Sequence, residues 1–207
     1  MTGRVTQEFL TQVAQDMRVW LERAVIGLNL CPFAKGVHVK GQIHYAVSHA
    51  TNAQELLQDL ARELKDLLAA DPAARDTTLL MAPLCLQDFL DFNDFLGAAD
   101  RVLAEMDLEG FIQIASFHPR FQFAGTQADD ISNFTNRAPY PTLHLLREDS
   151  IERAVEAFPE AEAIFGKNME TLAQLGHSGW AKLGVERTTP LPDTHEERVK
   201  GKREGKP

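Results

Sequence analysis

The sequence predicts an α/β (or α+β) protein: a four-stranded mixed sheet with helices packed on it and a long loop between the last two strands. Three observations carry that expectation. Four short runs, Ile43–Ser48, Thr77–Ala82, Phe111–Phe117 and Thr142–Leu146, have the length and composition of strands. Stretches with apolar residues at steps of three and four separate the first three runs, which is the period of an amphipathic helix. Between the last two runs there is no such stretch, only a polar, proline-bearing segment. Strands joined by single helices lie parallel through right-handed crossovers, whereas the last two are free to pair antiparallel.

Each element has a local reason. From Val5 to Leu28, the residues Phe9, Val13, Met17, Trp20, Leu21, Ala24, Val25 and Leu28 fall on one face, so one long first helix is expected to pack across the sheet. Asn29 and Pro32 stop it. Proline cannot continue a helix, and it drives Cys31 out of the α region. After the first strand, Thr51 and Gln54 resemble a capping box. The helix they open runs through Leu56, Leu57, Leu60, Leu64, Leu67 and Leu68 and is expected to end near Asp71-Pro72. Thr77–Ala82 is apolar enough for a strand buried on both faces, and Pro83 closes it. Phe89, Phe92, Leu96, Ala99, Leu103 and Met106 mark the next helix. Beyond the last strand, Ser150 is placed to cap a short helix to about Phe158. Pro159 is placed to start another through Ile164, Phe165, Met169, Leu172 and Leu175 as far as Gly176.

A chain of 207 residues suits one domain, expected at 1–184, with 185–207 as a disordered charged tail. From Glu186 onward there are six basic and five acidic residues and almost nothing apolar. The net charge of -9 and pI near 5.2 oppose nucleic-acid binding and docking on anionic membranes. No apolar run has membrane-spanning length, and the N-terminus carries no signal-like segment. Cys31 and Cys85 form no CxxC, which fits free thiols in a reducing, cytoplasmic setting. No Walker, GxGxxG or GxSxG pattern is present, so the sequence names no cofactor, and it leaves the oligomeric state open.

The chemistry concentrates in Ser116–Glu148, SFHPRFQFAGTQADDISNFTNRAPYPTLHLLRE. Its aromatics argue for an ordered loop, and ordered loops on rigid scaffolds often carry function. His118, at the exit of a strand, and His144, within the next, are candidate catalytic groups because imidazole titrates near neutrality. Asp130 is the candidate that orients one of them. Arg120, Arg137 and Arg147 offer planar forks for an anion, and Asn136 and Thr126 add hydrogen-bonding groups. Each residue also has a structural alternative. A histidine of this kind is more often a satisfied core or loop residue, the arginines can pair with Asp129, Asp130 and Glu148, and an Asp at a loop-to-helix junction is an ordinary N-cap. No metal site is expected, because no His or acid recurs at ligand spacing. Cys31 is read as a structural thiol whose pKa a helix C-terminus raises.

The phrases GLNLCPFA (27–34), FHPRFQFAGT (117–126) and TNRAPYPTLHLLRE (135–148) resemble a bacterial family catalogued as a domain of unknown function (DUF fourteen-fifteen), over the chain from its first helix to Gly184. The resemblance implies no mechanism, but it falls on the same region.

The leading expectation is therefore a cytosolic enzyme that uses histidine acid/base chemistry on a small anionic ligand. The alternative is a non-catalytic metabolite- or peptide-binding module using the same arginine and aromatic loop. A third reading gives the histidines and arginines a purely structural role. The enzyme reading requires the last two strands to be neighbours, so that His118 and His144 converge.

Overall fold

The structure is a computed structural model, described over residues 5–157 and 163–190. It holds the expected four-stranded mixed sheet, in the order β1-β2-β4-β3. These strands are β1 (Ile43–Val47), β2 (Thr77–Met81), β3 (Ile112–Phe117) and β4 (Thr142–Arg147). β1 and β2 are parallel, and β4 is antiparallel to both of its neighbours, β2 and β3. The crossovers α3 (Ala53–Ala69) and α4 (Phe89–Glu105) cover one face. On that face Leu56, Leu60, Leu64 and Leu67 of α3 are fully buried against Leu80, Leu143 and Leu145. Burial of each such leucine contributes about 1.5–3 kcal/mol. The other face carries α1 (Gln7–Trp20) and α6 (Ile164–Lys182), whose Val13, Met17, Trp20 and Leu172 pack on Leu79, Met81 and Tyr140. Among the described residues no helix is long and apolar enough to cross a membrane.

The long first helix is interrupted. After Trp20 the backbone widens into a π-type turn over Leu21–Ile26, with the Gly27 N–H bonded to the Glu22 carbonyl at 3.0 Å. A Cβ on Gly27 would stand 2.3 Å from the Arg23 carbonyl oxygen, so this tightened exit needs glycine. Asn29 then takes a left-handed φ of 55°, a conformation asparagine tolerates better than most residues. A short helix not foreseen in the sequence, α2 (Ala34–Val39), follows Pro32.

The cap of α3 differs from the Thr51/Gln54 box by one residue. Asn52 is the N-cap and accepts from the Glu55 N–H at 3.0 Å, while the Glu55 carboxylate receives the Thr51 N–H at 2.8 Å. Asparagine is the better cap, and Glu55 is an ion where Gln54 is not. α5 (Glu148–Glu156) begins directly from β4 rather than at Ser150, and α6 bends at Gly176 (φ 61°) and continues to Lys182. Phe158 and Pro159, expected at a helix end and a helix start, lie outside the described residues. Past Gly184 the chain still packs: Val185 is buried and Thr188 bonds Asp16. The rest of the expected tail, 191–207, lies outside the described residues.

Candidate functional site

β3 and β4 are hydrogen-bonded neighbours, in a register that pairs Ala115 with His144 and Phe117 with Thr142. Paired residues share a face and sequential residues alternate. His144 therefore stands on the same side as Phe117, with their rings 6.2 Å apart. His118, one residue on from Phe117, turns to the other side and lies between Phe89 and Phe92 of α4, at 5.5 and 5.1 Å. The strands meet, but the histidines do not.

His118 is fully buried. Its Nδ1 accepts the Arg120 backbone N–H at 3.0 Å, and its Nε2 lies 3.1 Å from the Leu86 carbonyl oxygen. An N–H only donates and a carbonyl only accepts, so the proton sits on Nε2 and both ring nitrogens are occupied. Burial pushes its pKa down to about 4, outweighing the Leu86 bond that favours the charged form. His144 is half-buried, and its Nε2 lies 2.8 Å from the Thr77 hydroxyl, which donates onward to the Leu145 carbonyl at 2.6 Å. Loss of hydration pushes this imidazole down to about 4 as well.

The arginines are dispersed. Arg147 is buried and donates to the carbonyls of Leu67 and Ala70 at the end of α3. Arg137 lies 4.2 Å over the Phe134 ring and donates to the Phe121 carbonyl at 3.2 Å. Arg120 is exposed, donates to the Gln87 carbonyl and lies 3.7 Å from Asp88. Asp130 caps a 3-10 turn over Ile131–Asn136, accepting the Ser132 N–H at 2.9 Å. Thr126 bonds within the loop: its hydroxyl lies 2.8 Å from both the Phe123 carbonyl and the Asn133 Oδ1. Asn133 is the hub, fully buried, taking the Phe123 N–H at 2.9 Å and donating to the Gln127 carbonyl at 2.8 Å. The loop is thus held by its own polar side chains. Among the described residues no group of His, Cys, Asp or Glu is arranged to hold a metal ion.

One predicted site residue, Asn136, does line a cleft. It has a volume of about 200 Å³ and is bounded by Val25, Leu30, Cys31, Phe117, Thr135, Asn136, Phe165 and Asn168. Four separate segments build it: the π-turn and its exit, the end of β3, the 3-10 turn and the first turns of α6. The Leu30 N–H closes the π-turn on Val25 at 2.8 Å, and the Leu30 carbonyl receives the Asn168 side-chain amide at 2.8 Å. Cys31 is half-buried there, with its thiol facing the backbone N–H groups of Phe33 and Ala34. Its pKa is raised, as the sequence suggested, but burial rather than a helix terminus is the main cause.

Sequence reasoning missed Val25, Leu30, Phe117, Phe165 and Asn168 as site residues. Asn168 left a signal, since it sits four residues from both Ile164 and Leu172, on the apolar stripe of α6. An amide at such a position has a partner or a ligand to satisfy it. Phe165 is 60% exposed, and its ring meets Phe123 edge-on at 6.2 Å.

A family model described as "Protein of unknown function (DUF1415)" matches residues 12–182, the span that contains every residue of the cleft. No curated protein and no solved structure is a significant match to the chain.

Proposed function

The chain belongs to the DUF1415 family, and we propose that it works as a binding module for a small molecule, taken up in the cleft between the π-turn, β3, the 3-10 turn and α6. One observation carries the reading. The cleft draws residues from all three phrases by which the sequence resembles its family: Leu30 and Cys31, Phe117, and Thr135 and Asn136. Ligand sites are concave, mostly apolar and fitted with a few polar groups, and here Phe117, Phe165, Val25 and Leu30 surround two amides, a hydroxyl and a thiol. A volume of about 200 Å³ suits a ligand well below drug size.

Acid/base chemistry at His118 on an anionic substrate has less support. Both ring nitrogens of His118 are held by backbone groups, and no arginine lines the cleft. A cytoplasmic setting fits the two free thiols.

The test is a fragment screen by protein-observed NMR on the wild type and on Phe165→Ala, an exposed substitution that leaves the core intact. Binding in the cleft requires fragments that shift the amides of Cys31, Asn136 and Asn168 together and lose affinity in the variant. Hits that cluster elsewhere, or that ignore the substitution, refute the site.

A further inference from the structure

We propose that this chain pairs with a second copy of itself through β1, antiparallel and about a two-fold axis at Tyr45, so that two sheets become one.

Two bonds fix the direction of the β1 backbone. The Thr77 N–H bonds the Gln42 carbonyl at 3.3 Å, and the Ser48 N–H bonds the Met81 carbonyl at 2.8 Å. In a parallel pair, alternate residues of a strand face its neighbour. The even-numbered residues of β1 therefore face β2. Ile43, Tyr45 and Val47 turn their N–H and C=O groups away from the sheet, because β1 is an edge strand. Among the described residues none of these six groups has a hydrogen-bond partner.

The opposite edge is different. The Glu148 N–H bonds the Phe111 carbonyl, so odd-numbered residues of β3 face β4 and even-numbered ones face outward. There the Ile112 N–H is spent on the Leu108 carbonyl at 3.1 Å, and the His118 N–H on the Asn136 carbonyl at 3.1 Å. The Ser116 carbonyl receives the Asn136 side-chain amide at 3.4 Å. The chain thus stops the β3 edge at both ends. The β1 segment IHYAV, in unbroken register with β2, has no proline, lysine or bulge to keep another strand away.

A second copy is the occupant these side chains fit. Ile43, Tyr45 and Val47 are half-buried on the face that carries α1. Read in either direction, that row is β-branched, aromatic, β-branched. Two-fold pairing sets Tyr45 against Tyr45, and Ile43 of each copy against Val47 of the other. Aromatic and β-branched cross-strand pairs of this kind stabilise antiparallel sheets. On the other face the exposed His44 meets Ala46, a small neighbour. Every outward N–H then meets an outward C=O, with two bonds at each facing residue pair. The two-fold pair is closed, and it uses up the open edge of both copies.

Sedimentation equilibrium and amide exchange by NMR, on the full chain at one concentration, test the proposal. The wild type is expected to sediment at twice the 23.1 kDa mass of the chain. Ile43→Pro removes an outward N–H at the first position of the strand, where proline breaks no bond within the chain. It is expected to sediment as a single chain, with the Tyr45 and Val47 amides exchanging at least a hundredfold faster than in the wild type. A wild type that stays a single chain overturns the proposal and leaves the edge to a strand of another protein. A dimer whose Tyr45 and Val47 amides exchange freely also overturns it, because another face then joins the copies. Slow exchange at these amides in a single chain does the same, because the chain then covers its own edge. The wild-type measurements decide the matter by themselves if the proline variant fails to fold.

Discussion

His118 holds the carbonyl of Leu86, 3.1 Å from its Nε2, and Leu86 is one of the described non-glycine residues with a left-handed backbone, at φ 54°. That conformation costs a residue such as leucine roughly 1–2 kcal/mol. Through this bond, and through the Arg120 amide on Nδ1, one imidazole ties the loop after β2 to the loop after β3.

His118→Phe keeps the ring contacts with Phe89 and Phe92 but takes the imidazole partner from the Leu86 carbonyl and the Arg120 N–H, whose bonds to it are partly buried. It is expected to cost about 1–3 kcal/mol. His118→Ala adds a cavity and is expected to cost about 2–5 kcal/mol. Urea melts of the two variants separate the hydrogen-bond contribution from the packing contribution. A loss below about 0.5 kcal/mol for both would mean that His118 holds nothing together.

Two histidines with pKa values near 4 make stability fall with acid. An unfolded imidazole takes up its proton near pH 6.5, whereas the folded ones wait until about 4. Between those values the unfolded chain binds more protons, so stability rises with pH, by about 1.4 kcal/mol per unit for each histidine. The contribution is fully present above about pH 6.5 and is lost as pH falls through about 4. Urea melts at half-unit steps are expected to show that slope, and His144→Gln should flatten it by about one proton.

Arg147 carries its charge into the protein interior and meets carbonyls rather than a carboxylate. The negative end of the α3 dipole favours a cation there. Arg147→Met matches its length but removes the donors, so the last α3 carbonyls lose their partners. The expected cost is about 2–4 kcal/mol, with faster amide exchange in the last turn of α3 and little change at the cleft. A variant that melts like the wild type would remove the capping role.

Asp16 is buried and receives four bonds: from the Gln12 side chain, the Tyr140 hydroxyl, and both the N–H and the hydroxyl of Thr188, all within 2.8–2.9 Å. Asp16→Asn replaces one acceptor oxygen with an NH₂ that faces donors. A loss of about 1–3 kcal/mol is expected, together with release of the 185–190 segment. Hydrogen exchange at Thr188 reads that release directly, and an unchanged rate there would contradict it.

Much of the fold was legible because it is written in period. The alternation of strand-like and helix-like stretches gave the four strands to within a residue at most ends, and the missing helix before Thr142 pointed to the antiparallel pair. What remained hidden was set by single residues acting at a distance. The sequence shows that His118 and His144 flank a loop, but their faces depend on the register, and a slip of one residue would reverse the answer. Arg147 looked like an anion binder because nothing local reveals that the end of α3, about eighty positions upstream, supplies its carbonyls. Asp130 and Asn133 behaved as loop residues of their type do, folding back on their own backbone. The cleft was invisible for a simpler reason: half of its wall comes from apolar residues whose spacing also fits an ordinary core.

The strand order has a consequence for how the protein comes into being. The chain makes β1, β2 and β3 before β4, yet β4 lies between β2 and β3 and is the partner of both. While a ribosome is still upstream of Thr142, β3 has no strand to join and one edge of β2 stands open. A nascent chain released early would lack the middle of its sheet rather than its margin, with two unpaired edges exposed to other chains. Of the four described strands, the last to be synthesised is the one that joins β3 to the rest of the sheet.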